Sequence, residues 1–423
     1  MVQMATRATA EKSADSVQKQ AGELRYVARQ PILDLGGKAH GYELLFWNGR
    51  EPIARPQGDM ATRTMLDNTI LFGLEKLSRG LPAFVNCTAE SVTSEWVKVL
   101  PPRMTVLELS AGEEPSEGLL TACRTLKASG FRLALAGFSG ESERGPLTDL
   151  ADYIKVEIDK VRGPERQKML RGLQGVQARL VAQNVETQEQ YGIACKDGFE
   201  LFQGYYFCRP EPLDSHKIPG NRLVHLEIME DLQNDPVDMR RLSQLVMCDA
   251  SLAYRLLRLV NSPVCAMRQE VTSIQAALML VGESAFRRMA MLAIATDFST
   301  DQPEEILRMA LERGRFCELT AGLFGLAPSE QYLIGLVSLF PAMLRILMED
   351  LVRMLPLRVA AREALLGGNA SEGVPLHWIV CQEHGDWKEC DAIVRSSGLN
   401  HEQLMHCHAD AVAWAEAAFK FGS

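Results

Sequence analysis

A change of residue period near position 210 constrains this chain more than any other feature. From Arg25 to Cys208, short runs of β-type residues alternate with amphipathic helical windows. Beyond Arg209-Pro210-Glu211-Pro212 the β-type runs almost vanish. The runs of the first half are Tyr26 to Ile32, Gly41 to Trp47, Ala83 to Cys87, Thr105 to Leu109, Phe131 to Ala136, Tyr153 to Ile158, Leu180 to Ala182 and Leu201 to Phe207. A turn at Asp34 to Lys38, with Gly36-Gly37, joins the first two. Helical windows cover about Thr62 to Ser78, Glu90 to Val99 and Glu117 to Ala128. Strands that alternate with helices imply βαβ units around a parallel sheet. This many units, without a glycine-rich G-x-G-x-x-G turn, predicts a closed α/β barrel rather than an open dinucleotide-binding sheet. The C-terminal ends of barrel strands converge on one mouth, and chemistry is sought there.

The proline-rich stop continues into Lys217-Ile218-Pro219-Gly220 and reads as a short, stiff linker, because proline restricts its own φ and its neighbours. After it, Arg222 to Leu232, Arg240 to Cys248, Ser251 to Val260, Ser273 to Val281 and Ala285 to Thr296 carry apolar residues at three- and four-residue spacing. That is the spacing of helices packed on a core. Asp249 is a candidate cap, Thr272-x-x-Gln275 a capping box, and Asn261-Ser262-Pro263 a terminator. The second half is expected to be all-α. The expected division is a disordered tail over 1–22, a barrel domain over 23–211, a linker over 212–221, and a helical domain with C-terminal helices over 222–423.

Charge and composition remove several function classes. The balance of 45 Lys+Arg against 54 Asp+Glu gives −9, which disfavours nonspecific binding to nucleic acid or an anionic membrane. The most apolar stretch, Tyr332 to Leu344, contains Pro341 and stops at Arg345. It falls well short of the roughly 20 residues that a spanning helix needs. The first twenty or so residues have charges but no apolar stretch, so no secretory signal is expected. Ten cysteines are scattered along the chain without a C-x-x-C pair, as expected for reduced thiols in a cytoplasmic protein.

Ordered motifs at the strand ends carry a family resemblance. They are Gln30-Pro31-Ile32, Gly41-Tyr42-Glu43-Leu44-Leu45, Val85-Asn86-Cys87, Leu107-Glu108-Leu109-Ser110, Asp152-Tyr153-Ile154-Lys155-Val156, Val185-Glu186-Thr187 and Gln203-Gly204-Tyr205-Tyr206-Phe207. In this order they resemble an EAL domain, the TIM-like α/β barrel of phosphodiesterases that hydrolyse the bacterial second messenger cyclic di-GMP. The resemblance implies two divalent ions held in a bowl of carboxylates, where they activate a water. Residue by residue, it maps metal-site positions onto Glu43, Asn86 and Glu108, a lysine near the water onto Lys155, and later positions onto Glu186 and Gln203. This chain departs from the pattern where two adjacent aspartates are implied, because Ala136 and Gly137 stand there. Gln183 stands for a glutamate, Asn184 for a glycine, and Trp47 for an arginine that contacts substrate phosphate. The expectation is a degenerate, non-catalytic EAL domain without metal or cofactor. Glu43, Asn86 and Glu108 then serve as strand-end polar groups bonded in the mouth or as ligand contacts, and Lys155 with Glu186 as an internal ion pair.

The segment from about Ile218 to Gln382 resembles an HDOD domain, a helical relative of the HD metal-dependent phosphohydrolases. The resemblance rests on Leu242-Ser243-Gln244-Leu245-Val246-Met247-Cys248-Asp249, Leu256-Leu257-Arg258-Leu259-Val260-Asn261-Ser262 and Val271-Thr272-Ser273-Ile274-Gln275-Ala276-Ala277. No His-Asp dipeptide occurs in the chain. His401, His406 and His408 are read as surface histidines of an amphipathic helix rather than a zinc site. Together the resemblances imply a bacterial signal-transduction adaptor that binds other signalling proteins through its HDOD domain. Met247, Met267, Met279, Met289 and Met291 cluster there, either as adaptable binding surface or as filling of the helical core. The alternatives are a cyclic di-GMP receptor without hydrolysis and a weak cyclic di-GMP phosphodiesterase.

Overall fold

The computed structural model describes residues 26–47, 52–53, 74–138, 145–161, 163–208, 225, 228–229, 231–232, 238–247, 250–261, 271, 273–299, 302–355, 357–368 and 370–422. The N-terminal tail, the linker at Arg209 to Gly220 and most of the Thr62 to Ser78 window lie outside them. So do the caps expected at Asp249 and Thr272.

The first half closes into a barrel, as its alternation predicts. Its strands are β1 (Tyr26–Asp34), β2 (Ala39–Trp47), β3 (Pro52–Ile53), β4 (Ala83–Asn86), β5 (Thr105–Ser110), β6 (Arg132–Phe138), β7 (Tyr153–Glu157), β8 (Arg179–Gln183) and β9 (Leu201–Gln203). The order is β1-β9-β8-β7-β6-β5-β4-β2-β3, and β1 also pairs with β2 to complete the ring. The first strand departs from the all-parallel expectation and runs antiparallel to both neighbours. The cause is local. Asp34 Oδ1 accepts from the N–H groups of Gly36 and Lys38, so the chain turns back as a hairpin without a crossover helix.

Helices α1 (Leu74–Ser78), α2 (Ala89–Thr93), α3 (Glu117–Ala128), α4 (Pro146–Leu150), α5 (Gly163–Gly172) and α6 (Gln188–Lys196) connect later strands. Their starts follow from short polar side chains: Thr88, Ser116 and Thr187 each accept a hydrogen bond from a first-turn N–H. Two elements are shorter than their sequence windows. The Glu90 to Val99 helix stops at Thr93, because Glu95 turns left-handed at φ 62° and only a 3₁₀ turn, Trp96–Val99, follows. The Leu201 to Phe207 strand stops at Gln203, ahead of Gly204 at φ +148° and the 3₁₀ turn Tyr206–Cys208.

The two-residue strand period sorts the barrel side chains into shells. Leu44, Val85, Leu107, Leu135, Ile154 and Ala182 belong to the outer apolar shell beneath the helices. Ile32, Phe84, Val106, Ala134, Tyr153, Val181 and Leu201 form a separate buried cluster inside the ring. One step of the pleat towards the strands' C-terminal ends brings Glu43, Asn86, Glu108, Lys155 and Gln203 into the next inward layer.

Beyond position 210 every described element is helical. The helices are α7 (Met239–Met247), α8 (Ala250–Val260), α9 (Ile274–Val281), α10 (Glu283–Phe298), α11 (Glu304–Thr320), α12 (Pro328–Val337), α13 (Phe340–Leu344), α14 (Met348–Met354), α15 (Val359–Leu365), α16 (Val374–His384), α17 (Trp387–Ser397) and α18 (His401–Gly422). Asn261 ends α8 as expected and then clamps the next segment, bonding both the N–H and the carbonyl of Val271. Trp378 of α16 is fully buried and stacks on Phe316 of α11 at 5.1 Å. Burying a side chain of this size stabilises the fold by roughly 3 kcal/mol.

The hairpin has no crossover helix of its own, and α11 lies along its outer face. Pro303 sits against Gly37 at the turn. Further along, Tyr42 Oη donates to Glu305 at 3.1 Å, and Arg29 pairs with Glu312. Arg79 bridges Glu305 at 3.1 Å and Glu416 of α18 at 2.8 Å. Ala28, Leu33, Tyr205 and Phe207 of the barrel share one apolar core with the helices. Among the described residues no helix is long and apolar enough to cross a membrane. The described cysteines are all unpaired, and Cys87, Cys123, Cys317, Cys381 and Cys390 are buried.

The C-terminal histidines correct the surface reading. His406 is exposed, but His408 is buried against Phe316, and His401 pairs with Asp391 at 2.6 Å. Burial, with Arg29 nearby, lowers His408 to about 4. An unfolded chain takes up a proton on this ring below about pH 6.5 while the folded chain does not. His408 should therefore cost about 3 kcal/mol of stability between pH 6.5 and 4. His408→Leu should flatten that part of the profile in chemical denaturation at neutral pH and near pH 4. An unchanged profile would remove the buried neutral imidazole from the account.

Candidate functional site

The sequence places its candidate residues at strand ends, and the pleat turns five of them inward. Glu43 comes from β2, Asn86 from β4, Glu108 from β5, Lys155 from β7 and Gln203 from β9, and all five are buried. The Lys155 ammonium, fully buried, lies between two carboxylates, 2.6 Å from Glu43 Oε2 and 2.7 Å from Glu108 Oε2. Glu43 Oε1 also accepts from Asn86 Nδ2 at 3.0 Å. Gln203 Nε2 donates to Glu43 Oε2 at 2.6 Å and to Gln30 Oε1 at 2.7 Å. Gln30 faces Glu43 across the β1–β2 ladder and was not singled out as a site residue from sequence. Its signal was its place in the first motif, in the middle of β1.

The electrostatics follow from burial and proximity. Burial alone would raise the Glu43 carboxyl, but Lys155 and the Gln203 and Asn86 amides hold it below the usual value. Burial alone would lower the Lys155 ammonium, and Glu108 and Glu43 raise it instead. Both groups keep their charges across neutral pH.

Ala136 and Gly137 complete this ring without adding a side-chain oxygen. Leu135 pairs with Ile154 and Phe138 with Val156, so these two residues bulge opposite Lys155 alone. Gly137 takes φ +70° at the bulge. Asn184 also stands left-handed, at φ 57°, which explains how an asparagine fills a glycine position. Gln183 reaches Gln203 Oε1 at 3.5 Å. Trp47 ends β2, paired with Tyr26 and Pro52.

Glu186 stands apart and corrects the expected ion pair. It is exposed after β8, with its backbone N–H bonded to Gln190, while Lys155 takes Glu43 and Glu108. In the helical half, His225 Nδ1 lies 3.3 Å from Asp297 and His377 is exposed. Among the described residues no three His, Cys, Asp or Glu side chains are grouped to hold a metal.

Two carboxylates and one ammonium leave the barrel layer with a single negative charge. Two divalent ions bring four positive charges and need several oxygen ligands each. Lys155 occupies the space between the two carboxylates that would have to be shared, and the bulge supplies no carboxylate. The residues present do not fit the two-ion bowl. They form a closed hydrogen-bonded layer instead.

Comparison with known proteins divides the chain at the same point as its period. Residues 60–210 match the EAL domain and residues 218–354 the HDOD domain. The chain is 30% identical over 402 residues to the uncharacterized protein YuxH of Bacillus subtilis, covering 92% of this chain and 97% of that one. It is 29% identical over 399 residues to the cyclic di-GMP phosphodiesterase CdgJ of Vibrio cholerae, covering 92% of each. Among solved structures, it is similar to a Klebsiella pneumoniae BlrP1 calcium/cy-diGMP complex at 21% identity, with a TM-score of 0.37. That similarity covers 44% of this chain and 55% of BlrP1.

Proposed function

The chain belongs to the family in which an EAL domain is followed by an HDOD domain, and on that premise we propose that it is a non-catalytic cyclic di-GMP signalling adaptor. Its output passes through protein contacts of the helical domain. The observation that carries the non-catalytic reading is Lys155 seated between Glu43 and Glu108, 2.6 and 2.7 Å away, opposite a bulge of Ala136 and Gly137. An ammonium there satisfies both carboxylates and repels a dication.

The partner role rests on surface chemistry. Tyr254, Met279 and Leu280, on α8 and α9, are exposed large apolar side chains of the helical domain. Met291 is buried and Met289 half-buried, so the methionine set divides between core and surface. Exposed methionine suits a surface that accepts a partner's apolar side chains.

The rival reading is a phosphodiesterase, favoured by the name of the Vibrio cholerae relative. The two separate in one assay. The purified full chain, incubated with cyclic di-GMP and magnesium or manganese, should release no linear dinucleotide. Metal-dependent turnover that Glu43→Gln abolishes would replace the adaptor reading with the enzymatic one. A receptor without hydrolysis would retain the nucleotide intact in equilibrium dialysis.

A further inference from the structure

Three strands of the barrel carry the polar layer into contact with one helix end. Gln30 is on β1, Glu43 on β2, and Gln203 on β9, and Gln203 Nε2 bonds both of the others. A few residues further towards the mouth, each of these strands meets the C-terminal end of α16. On β1, the Val27 carbonyl accepts from Gln382 Nε2 at 3.5 Å. On β2, Leu45 lies against Gly385, where a built Cβ would stand 3.2 Å from Leu45 Cδ1. Past β9, Tyr205 Oη donates to the Glu383 carbonyl, and its ring meets His384 edge-on at 4.0 Å. The Glu383 carboxylate is gripped in turn by Arg313 of α11, at 2.6 and 3.0 Å.

We propose that this contact is a coupling device: the end of α16, over Gln382 to Gly385, reads the state of the Gln30–Glu43–Gln203 layer, with Tyr205 as the latch. The link between Gln203 and Tyr205 is short and stiff. Val185 bonds the Gln203 carbonyl through its N–H at 3.0 Å and accepts from the Tyr206 N–H at 3.1 Å. A shift of Gln203 therefore passes to Tyr205 instead of being absorbed between them. Tyr205 is buried in the helical core, so it moves only with what it touches. The two states are α16 docked on the barrel and α16 released from it, and a ligand that draws Glu43 or Lys155 out of the layer favours release. The device operates whether or not the barrel hydrolyses a nucleotide, so it stands apart from the adaptor reading.

Hydrogen–deuterium exchange on the full chain tests it without a ligand. Glu43→Gln weakens the layer at constant shape and should speed exchange of the α16 end by about fivefold or more, leaving remote α9 unchanged. Linkage is reciprocal, so Tyr205→Phe should speed exchange at Leu44, Leu45, Phe202 and Gln203 while β5 keeps its wild-type rate. The device requires both local changes, and wild-type rates at the α16 end in Glu43→Gln would overturn it. Wild-type rates at the opposite end in Tyr205→Phe, or acceleration spread evenly over both domains in both variants, would overturn it. Hydrolysis of cyclic di-GMP by the same preparation bears only on the adaptor reading.

Discussion

Lys155→Met lowers the stability of the full chain by about 3 to 5 kcal/mol, the cost of leaving buried carboxylates without their cation. The side chain is fully buried and touches two acids, each of which was desolvated on the strength of its presence. Methionine fills the stem volume, so the loss is electrostatic and not a cavity. The sign of the pH dependence follows from the same pair. Glu43, held below the usual carboxylate value, contributes stability that is lost as pH falls through its folded-state value. Lys155, raised above its usual value, contributes stability that is lost as pH rises through its own. The variant should therefore gain stability relative to wild type on acidification, as its two acids take up protons. Adding Glu43→Gln and Glu108→Gln should restore much of the loss at neutral pH. A loss below about 1 kcal/mol in denaturant melts would mean that the layer is solvated and the ion pairs are weak.

Gly204→Ala should cost a further class of large energy, about 3 to 5 kcal/mol, from backbone crowding. Gly204 stands at φ +148°, a region open to glycine, and a Cβ would fall 2.1 Å from the Val185 carbonyl oxygen. Relief requires β9 to separate from the loop after β8, which pulls Gln203 off Glu43. The variant should thus lose both stability and the protection of the polar layer from exchange. A substitution tolerated within about 1 kcal/mol would show that Gly204 has room the geometry denies it.

Much of the architecture was legible because the barrel strands are buried on both faces and so stand out as apolar runs between helical windows. Closure was legible from the number of those runs. The hairpin direction was missed although its signal was present, a short turn with Gly36-Gly37 between two runs and no helical window. Five site residues were legible through the family resemblance, and the fold supplies the physical reason for their place. Glu43, Asn86, Glu108, Lys155 and Gln203 are polar residues at inward positions near the ends of apolar strands, where burial demands partners. Their pairing was not legible: Glu186 is as acidic as Glu108, and only the end of β8 at Gln183 puts it outside the ring. Gln30 was missed as a site residue because it sits in the middle of β1, and only the antiparallel pairing of that strand sets it opposite Glu43. His408 was misread because α18 packs on α11 and also reaches Arg79 through Glu416, and local periodicity cannot show two neighbours at once.

On the proposed reading Lys155, and not a pair of metal ions, neutralises the barrel acids. Calorimetric titration of magnesium or manganese into the full chain decides between the two. No saturable binding that depends on Glu43 or Glu108 is expected. Saturable binding of two ions per chain, abolished by Glu43→Gln and by Glu108→Gln in folded protein, would contradict it.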